Sequence, residues 1–177
     1  MPSPLAHSAF GYLISRFLPL KNFNLYPTKK WEIKYFYPIF IAAAADFDFI
    51  PQLMTGNDYH RGLTHSLIFT LGVSLIMGVI SCSRWKSSFK AGFGLTFVLY
   101  GSHLVLDFVS AGRGIKFFAP FTEQFFHSPF VLFPGVHYSR GFFHYTHLFP
   151  IGYELIVCTL LFVGVEQWKK YRTRRIS

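Results

Sequence analysis

The sequence predicts an all-α membrane protein, a polytopic helical bundle of about five helices with a long aromatic-rich outer loop. Three observations carry that prediction. Of 177 residues, 51% are hydrophobic and 20% aromatic but only 14% charged, against roughly a quarter charged in soluble domains. Several apolar runs reach the roughly 17 to 25 residues that a spanning helix needs. The positive residues gather in three short clusters, each beside an apolar run. The length suits one integral membrane domain over residues 1–177.

The first segment, Leu5 to Leu20, carries His7 and Arg16, and the second, Ile33 to Phe47, ends in the run Ala42 to Ala45 followed by Asp46. Both are short, so each reads as a buried core helix or a tilted short span. Pro38 belongs in the first turn of the second or kinks it. Leu63 to Cys82 and Ala91 to Val109 form a helical hairpin around the basic turn Ser83 to Lys90. The fifth, Phe149 to Val165, is interrupted only by Glu154 and runs into a basic tail. The opening Met1-Pro-Ser-Pro4 lacks the basic start of a secretory signal, so the first segment is expected to stay in the mature protein. Cys82 and Cys158 have no CxxC spacing and read as buried apolar filler.

The formal charge of +9 suits nucleic acid or an anionic surface until the positions are counted. Arg16, Lys21, Lys29, Lys30 and Lys34 form one cluster, Arg84, Lys86 and Lys90 the second, and Lys169, Lys170, Arg172, Arg174 and Arg175 the third. If the five segments alternate, these 13 of the 17 Lys and Arg share one side. The positive-inside rule then makes the C-terminus cytoplasmic and the N-terminus external, and no nucleic acid is expected as a partner. The outward loops are Asp48 to Gly62 and Ser110 to Thr146. The longer one, with Phe117, Phe118, Phe121, Phe125 and Phe126, is too apolar for a wet linker and is expected to cap the bundle or lie along the interface.

The same topology puts the ionisable residues at one depth. Asp46 and Asp48 close the second segment on the outside, His60 and His65 open the third, His103 and Asp107 end the fourth, and His7 starts the first. A mid-span charge costs roughly 2.5 to 3.5 kcal/mol on insertion scales, so such groups need partners. A divalent metal partners all of them at once. His103 and Asp107 are four apart on one helix face, and Asp46 and Asp48 can both reach an ion only if the backbone leaves the α-helix there. Mixed imidazole and carboxylate ligation suits one or two zinc ions best, with manganese or iron next. The plainer reading is that these groups form hydrogen-bonded pairs which fix helix packing; seven at one level favour metal. Thr64 is a candidate helix cap. Arg61 is either a snorkelling interface residue or a clamp for phosphate. Glu154, within a span, is a candidate general base or further ligand. His127, His137, His144 and His147 read as interfacial aromatics.

These pieces resemble a known family, the YdjM-like membrane-bound metal-dependent hydrolases. The likeness rests on Met1-Pro-Ser-Pro-Leu-Ala-His7, Ala45-Asp-Phe-Asp48 followed by Pro51, His60-Arg-Gly-Leu-Thr-His-Ser66, the pair His103 and Asp107, and Gly112 leading to Pro120 and Phe121. It covers residues 1–121 and implies a helical inner-membrane protein of bacteria. It also implies a distant likeness to zinc-dependent phospholipase C and its nuclease relatives, whose ligands would correspond here to His7, Asp46, His60 or His65, and His103 with Asp107. The chain departs from that pattern in lacking a second His-x-x-x-Asp/Glu element, since Ile151 stands four residues after His147.

The leading expectation is a metal-dependent hydrolase acting on a phosphoester, such as a lipid headgroup or lipid-linked phosphate, at the outer face. His7, Asp46, His60, His65, His103 and Asp107 are the expected metal ligands, and Asp48, Arg61 and Glu154 the expected catalytic groups. No G-x-S-x-G motif supports a serine nucleophile. Two rivals stand beside it. A metal or proton transporter needs polar residues continuing to the cytoplasmic side, where only Ser102, Tyr100, Thr96, Thr70 and Ser74 are on offer. A non-catalytic scaffold with a structural metal needs a closed four-ligand site.

Overall fold

The computed structural model describes residues 2–18, 35–56, 60–136 and 144–176. Lys21, Lys29, Lys30, Lys34, His137 and Arg140 lie outside them. The described residues are helical, with no strands and two isolated bridges, Ser110 with Phe133 and Ile115 with Phe126.

The first predicted segment is α1, Pro4–Phe17, capped by Ser3, whose hydroxyl accepts from the Ala6 N–H. At 14 residues it is about 21 Å long, short of the roughly 30 Å hydrocarbon core. The second becomes α2, Tyr37–Ala43, with Pro38 in its first turn, followed by a 3₁₀ stretch, Ala44–Asp48. The hairpin is α4, Leu67–Arg84, and α5, Phe89–Phe108. Ser66, not Thr64, caps α4 by accepting from the Phe69 N–H. The last helix, α6, Leu148–Ile176, carries on through the basic tail. Among the described residues, three helical stretches are long and apolar enough to cross a membrane: Leu67–Arg84, Phe89–Phe108 and Tyr145–Arg174.

One helix is absent from the sequence reading. Within the predicted loop Asp48 to Gly62, Phe49–Thr55 forms α3, ended by Gly56 in the left-handed region at φ 71°. Its seven residues are too few for a hydrophobic period to show.

Helix contacts are close where side chains are small. Thr70, Ser74, Gly78 and Ser81 form the buried face of α4, and a side chain on Gly92 of α5 would meet Ser81 Cβ at 2.4 Å. Such faces let helix backbones approach where lipid leaves no hydrophobic drive between helices. Their hydroxyls are satisfied locally: Thr70 donates to the Ser66 carbonyl, Ser74 to that of Thr70, and Thr96 to that of Gly92. The core proper gathers Tyr37, Ile41, Leu95, Leu99, Tyr100 and Leu104 from α2 and α5. Cys82 and Cys158 are free thiols but do not fill that core, Cys82 being exposed and Cys158 half-buried.

Two polar contacts fix α1 beside α6. Glu154 accepts from the Ser3 N–H at 3.0 Å, and Arg16 pairs with Glu166 at 2.5 Å. The intervals, Ser3 to Arg16 and Glu154 to Glu166, are nearly equal, so the two helices run parallel. His7, the Asp46 to Asp48 stretch, the start of α4 and the end of α5 therefore share one end of the bundle. The connection from Ser110 to Val136 folds back over that end, as the sequence suggested. Ile115 and Phe126 exchange backbone hydrogen bonds at 2.9 and 2.8 Å, the Phe117 carbonyl accepts from Leu67 N–H, and Ile115, Ala119, Phe133 and Val136 are buried.

Candidate metal centre

Local backbone geometry explains how the acidic pair reaches inward. Two residues apart on an α-helix, Asp46 and Asp48 would point about 160° apart; at the 3₁₀ advance of about 120° per residue the angle closes to about 120°. The tightening over Ala44–Asp48 leaves Asp46 and Asp48 buried and Phe47 between them exposed. Arg61 then takes a left-handed conformation, φ 64°, which turns the chain so that His60 and His65 converge on the two carboxylates.

Four ligand atoms form a compact group. His103 Nε2 lies 3.1 Å from His65 Nε2. Asp46 Oδ1 lies 3.5 Å from His103 Nε2 and 3.8 Å from His65 Nε2, and Asp107 Oδ2 lies 3.4 Å from His65 Nε2 and 3.8 Å from His103 Nε2. A tetrahedron of nitrogen and oxygen ligands at zinc-like bond lengths has edges of about 3.3 Å, and the distances from the two ring nitrogens to each other and to the two carboxylates run from 3.1 to 3.8 Å. All four residues are buried.

Tautomers sharpen the point. His103 Nδ1 is 2.7 Å from the Ala42 carbonyl, which can only accept, so that nitrogen carries the proton. His65 Nδ1 is 3.0 Å from Thr64 Oγ1 and 3.2 Å from Asp48 Oδ2, and Thr64 spends its own proton on Asp48 at 2.6 Å, so His65 Nδ1 also donates. With both rings neutral, two imidazole lone pairs would face each other across 3.1 Å, flanked by carboxylates. Neutral rings held this way repel, so the two nitrogens share either a proton or a metal ion.

A second pair adjoins the first. His7 stacks on His103 with ring centroids 3.6 Å apart, and His7 Nε2 lies 3.4 Å from Asp107 Oδ1. Both carboxylate oxygens of Asp46 and Asp107 and both ring nitrogens of His7 are buried with no hydrogen-bond partner. Buried polar atoms without partners are exceptional in folded proteins, and an absent ion is one of the few explanations. With the histidines neutral, Asp46, Asp48 and Asp107 are opposed at the site by Arg61, which leaves two negative charges in a buried place. The buried His and Asp clusters, His7 with His103 and Asp107, and Asp46 with His60 and His65, could hold a metal ion.

Around these atoms sits an orienting shell. Asp48 accepts from His60 Nδ1 at 2.7 Å, from the Arg61 backbone N–H and from Thr64. Burial opposes the charge on Asp48, but hydrogen bonds from the His60 and His65 rings outweigh it and hold the carboxyl well below the ordinary carboxylate range. Arg61 is buried rather than snorkelling; it donates to the Gly114 carbonyl and to Ser110 Oγ, and its Nη2 lies 3.6 Å from Asp107 Oδ1. Gly112, at φ 134°, leaves room for that guanidinium, since a side chain there would come within 3.1 Å of Nη1.

Of the expected site residues, His7, Asp46, His65, His103 and Asp107 come together, with His60, Asp48 and Arg61 against them. Glu154 does not join. Its carboxylate accepts from the backbone N–H and hydroxyl of Ser3, at 3.0 and 2.5 Å, and so holds the N-cap of α1. His144 bonds Thr146 through Nδ1, and His147 is buried in the turn that starts α6. Sequence reasoning missed Thr64 as an orienting group and the Ala42 and Gly114 carbonyls; a backbone carbonyl has no residue type to betray it.

Comparison with known proteins follows the same lines. The family model described as YdjM inner membrane protein matches residues 1–172. The inner membrane protein YbcI of Escherichia coli (strain K12) is 33% identical over 115 residues, which is 61% of this chain and 61% of that protein. The chain thus matches about three fifths of that relative's length. No solved structure matches.

Proposed function

This chain belongs to the YdjM inner membrane protein family, and from that premise we propose that it is a membrane-embedded metal-dependent hydrolase acting on a phosphoester, such as a lipid headgroup or lipid-linked phosphate. The observation that carries the metal is the pair of His65 and His103 Nε2 atoms 3.1 Å apart between the carboxylates of Asp46 and Asp107, whose oxygens are buried without hydrogen-bond partners.

His65, His103, Asp46 and Asp107 would hold one ion. His7 Nε2 and Asp107 Oδ1, 3.4 Å apart, would offer two ligands toward a second. A bound divalent ion, zinc being the best match to this donor set, supplies Lewis acidity and brings the pKa of water toward about 7. The chain's own groups supply the rest. Asp48 keeps His60 and His65 oriented through their Nδ1 atoms, a support that typically carries 10- to 100-fold in metal affinity. His60, oriented by Asp48 2.7 Å from its Nδ1, stands beside the cluster as the candidate general base. Arg61 holds a fixed positive charge beside Asp107, suited to a phosphate oxygen. Exposed Phe118, Phe121 and Phe130 on the capping connection suit an apolar substrate tail.

The transport reading finds less support. Beneath the cluster, the buried groups Thr70, Ser74 and Thr96 spend their protons on backbone carbonyls of their own helices.

The test is metal analysis of detergent-purified protein beside a His103→Ala, Asp107→Ala double variant. Metal in the parent and none in the variant is the expected result; equal content in both ends the assignment. Loaded protein is then assayed on phosphodiesters and lipid phosphates. Passage of the same ion into liposomes without hydrolysis would replace the enzyme with a transporter.

A further inference from the structure

The helix that the sequence did not announce has two unlike faces. On α3, Ile50, Leu53 and Met54 point outward, exposed by 56, 61 and 82%. They stand at the spacing of one helix face, and the segment Phe49–Thr55 contains no charged residue. The other face touches the site. The Phe49 ring lies 4.6 Å from the His60 ring, and the Gln52 side-chain oxygen accepts from the His60 backbone N–H at 2.9 Å.

The outward face does not stand alone. Phe36, Phe40 and Phe47 touch in succession along the outside of α2 and the 3₁₀ stretch, the first pair stacked at 5.8 Å and the second edge-on at 5.3 Å between centroids, and all three are exposed. From Phe36 to Met54 the outer surface is thus one apolar strip, and the acidic residues within it, Asp46 and Asp48, are both turned inward. A strip that starts on a helix of a membrane bundle and continues without charge onto α3 is a surface for hydrocarbon. Water would leave these side chains exposed at a cost that a few Lys or Glu residues would have removed.

We propose that α3 is an interfacial helix whose Ile50, Leu53 and Met54 face is seated among the acyl chains of the bilayer, so that lipid contact on one side of α3 holds His60 in place on the other. The inference does not rest on the hydrolase reading. It says where the edge of the site sits, whatever chemistry the site performs. It predicts that the metal cluster lies within one helix diameter of the lipid boundary, with α3 the element between them.

The experiment uses the full chain in phospholipid vesicles. On a Cys82→Ser, Cys158→Ser background, Met54→Cys carries an environment-sensitive fluorophore, and Leu53→Cys serves as a second position should one label disturb folding. Lipids with a nitroxide on the acyl chain should quench both positions on the order of twofold, while aqueous iodide leaves them unchanged. Quenching by iodide and not by the nitroxide lipid means that α3 faces water and overturns the proposal. Quenching by neither means that another protein surface covers α3, a second copy of the chain being the first to test by cross-linking at the same cysteine, and this also overturns it. None of these readouts needs metal or turnover, so failure here and failure of the hydrolase assignment are separate events.

Discussion

Asp107→Asn separates the effect of charge from the effect of the ion. Asp107 is fully buried, and neither of its oxygens has a hydrogen-bond partner, although His65 Nε2, His7 Nε2 and Arg61 lie 3.4 to 3.6 Å away. With an ion at 100 times its dissociation constant, binding adds about 2.7 kcal/mol to the stability of the parent. For a chain of this length about 1 kcal/mol moves Tm by roughly 2 to 4 °C, so a chelator should lower the parent Tm by about 5 to 11 °C. The asparagine carbonyl is a poor ligand, and its amide can donate to the lone pair on His65 or His7 that the ion would otherwise occupy. The chelator shift in the variant should therefore fall below about 2 °C. In chelator the order reverses, because the variant removes one of three buried carboxylates that face a single guanidinium, and a buried polar group without a hydrogen-bond partner costs about 1 to 3 kcal/mol. Thermal unfolding of the purified protein followed by tryptophan fluorescence, with and without chelator, reads all four numbers. An equal chelator shift in both proteins would refute the reasoning, as would a variant less stable than the parent when both are stripped of metal.

Three further substitutions, one of them with a control, probe the supports of the cluster. Thr64→Val removes the hydroxyl that joins Asp48 to His65 and should weaken metal affinity about 10- to 100-fold by competition with a chelating dye while leaving the helical circular dichroism unchanged. Glu154→Ala frees the Ser3 N–H and hydroxyl at the start of α1, so Tm should fall by roughly 4 to 8 °C for the loss of about 2 kcal/mol; because the Ser3 carbonyl accepts from His7 N–H, metal per chain should fall too, whereas a group needed only for turnover would leave both unchanged. Gly11→Ala would drive a methyl to 2.4 Å from Ala42 Cβ and from the Pro38 carbonyl, costing about 1 to 3 kcal/mol, and since the Ala42 carbonyl orients His103 it should also reduce metal binding; Gly72→Ala, with nothing within 4 Å, should do neither in the same Tm and metal assays.

How much of this was legible from sequence follows from what each feature depends on. The two hairpin helices and α6 were readable because a long apolar run needs no partner to be recognised, and structure moved their ends by only a few residues, except where α6 carries on through the basic tail. The convergence of His7, Asp46, His65, His103 and Asp107 followed from segment order alone, since alternating helices bring those positions to one end. What failed to show was set by tertiary contacts. Glu154 looked like a functional group because a carboxylate within a span is costly, and that cost is met by Ser3, a residue 151 positions away. The 3₁₀ tightening at Ala44–Asp48 was required by the two inward carboxylates, but α3, which follows it directly, is too short to announce itself by periodicity.

A structural ion and a catalytic one make opposite demands on His7. Four ligands close a structural site, and Asp46, His65, His103 and Asp107 already form such a set, so a scaffold would have no use for a fifth. Yet His7 is fully buried, with both ring nitrogens unpartnered and one of them 3.4 Å from Asp107 Oδ1. A buried polar group left that way costs about 1 to 3 kcal/mol. Phenylalanine keeps the ring that stacks on His103 and removes the nitrogens. If the ion is structural, His7→Phe should leave one metal per chain and raise Tm by several degrees. On the hydrolase reading the second position loses its imidazole, so metal per chain falls, Tm in metal does not rise, and hydrolysis is lost even though His65 and His103 still hold the first ion. Metal stoichiometry and Tm measured on the same preparation decide it, and a more stable variant with undiminished metal would transfer the centre from chemistry to architecture.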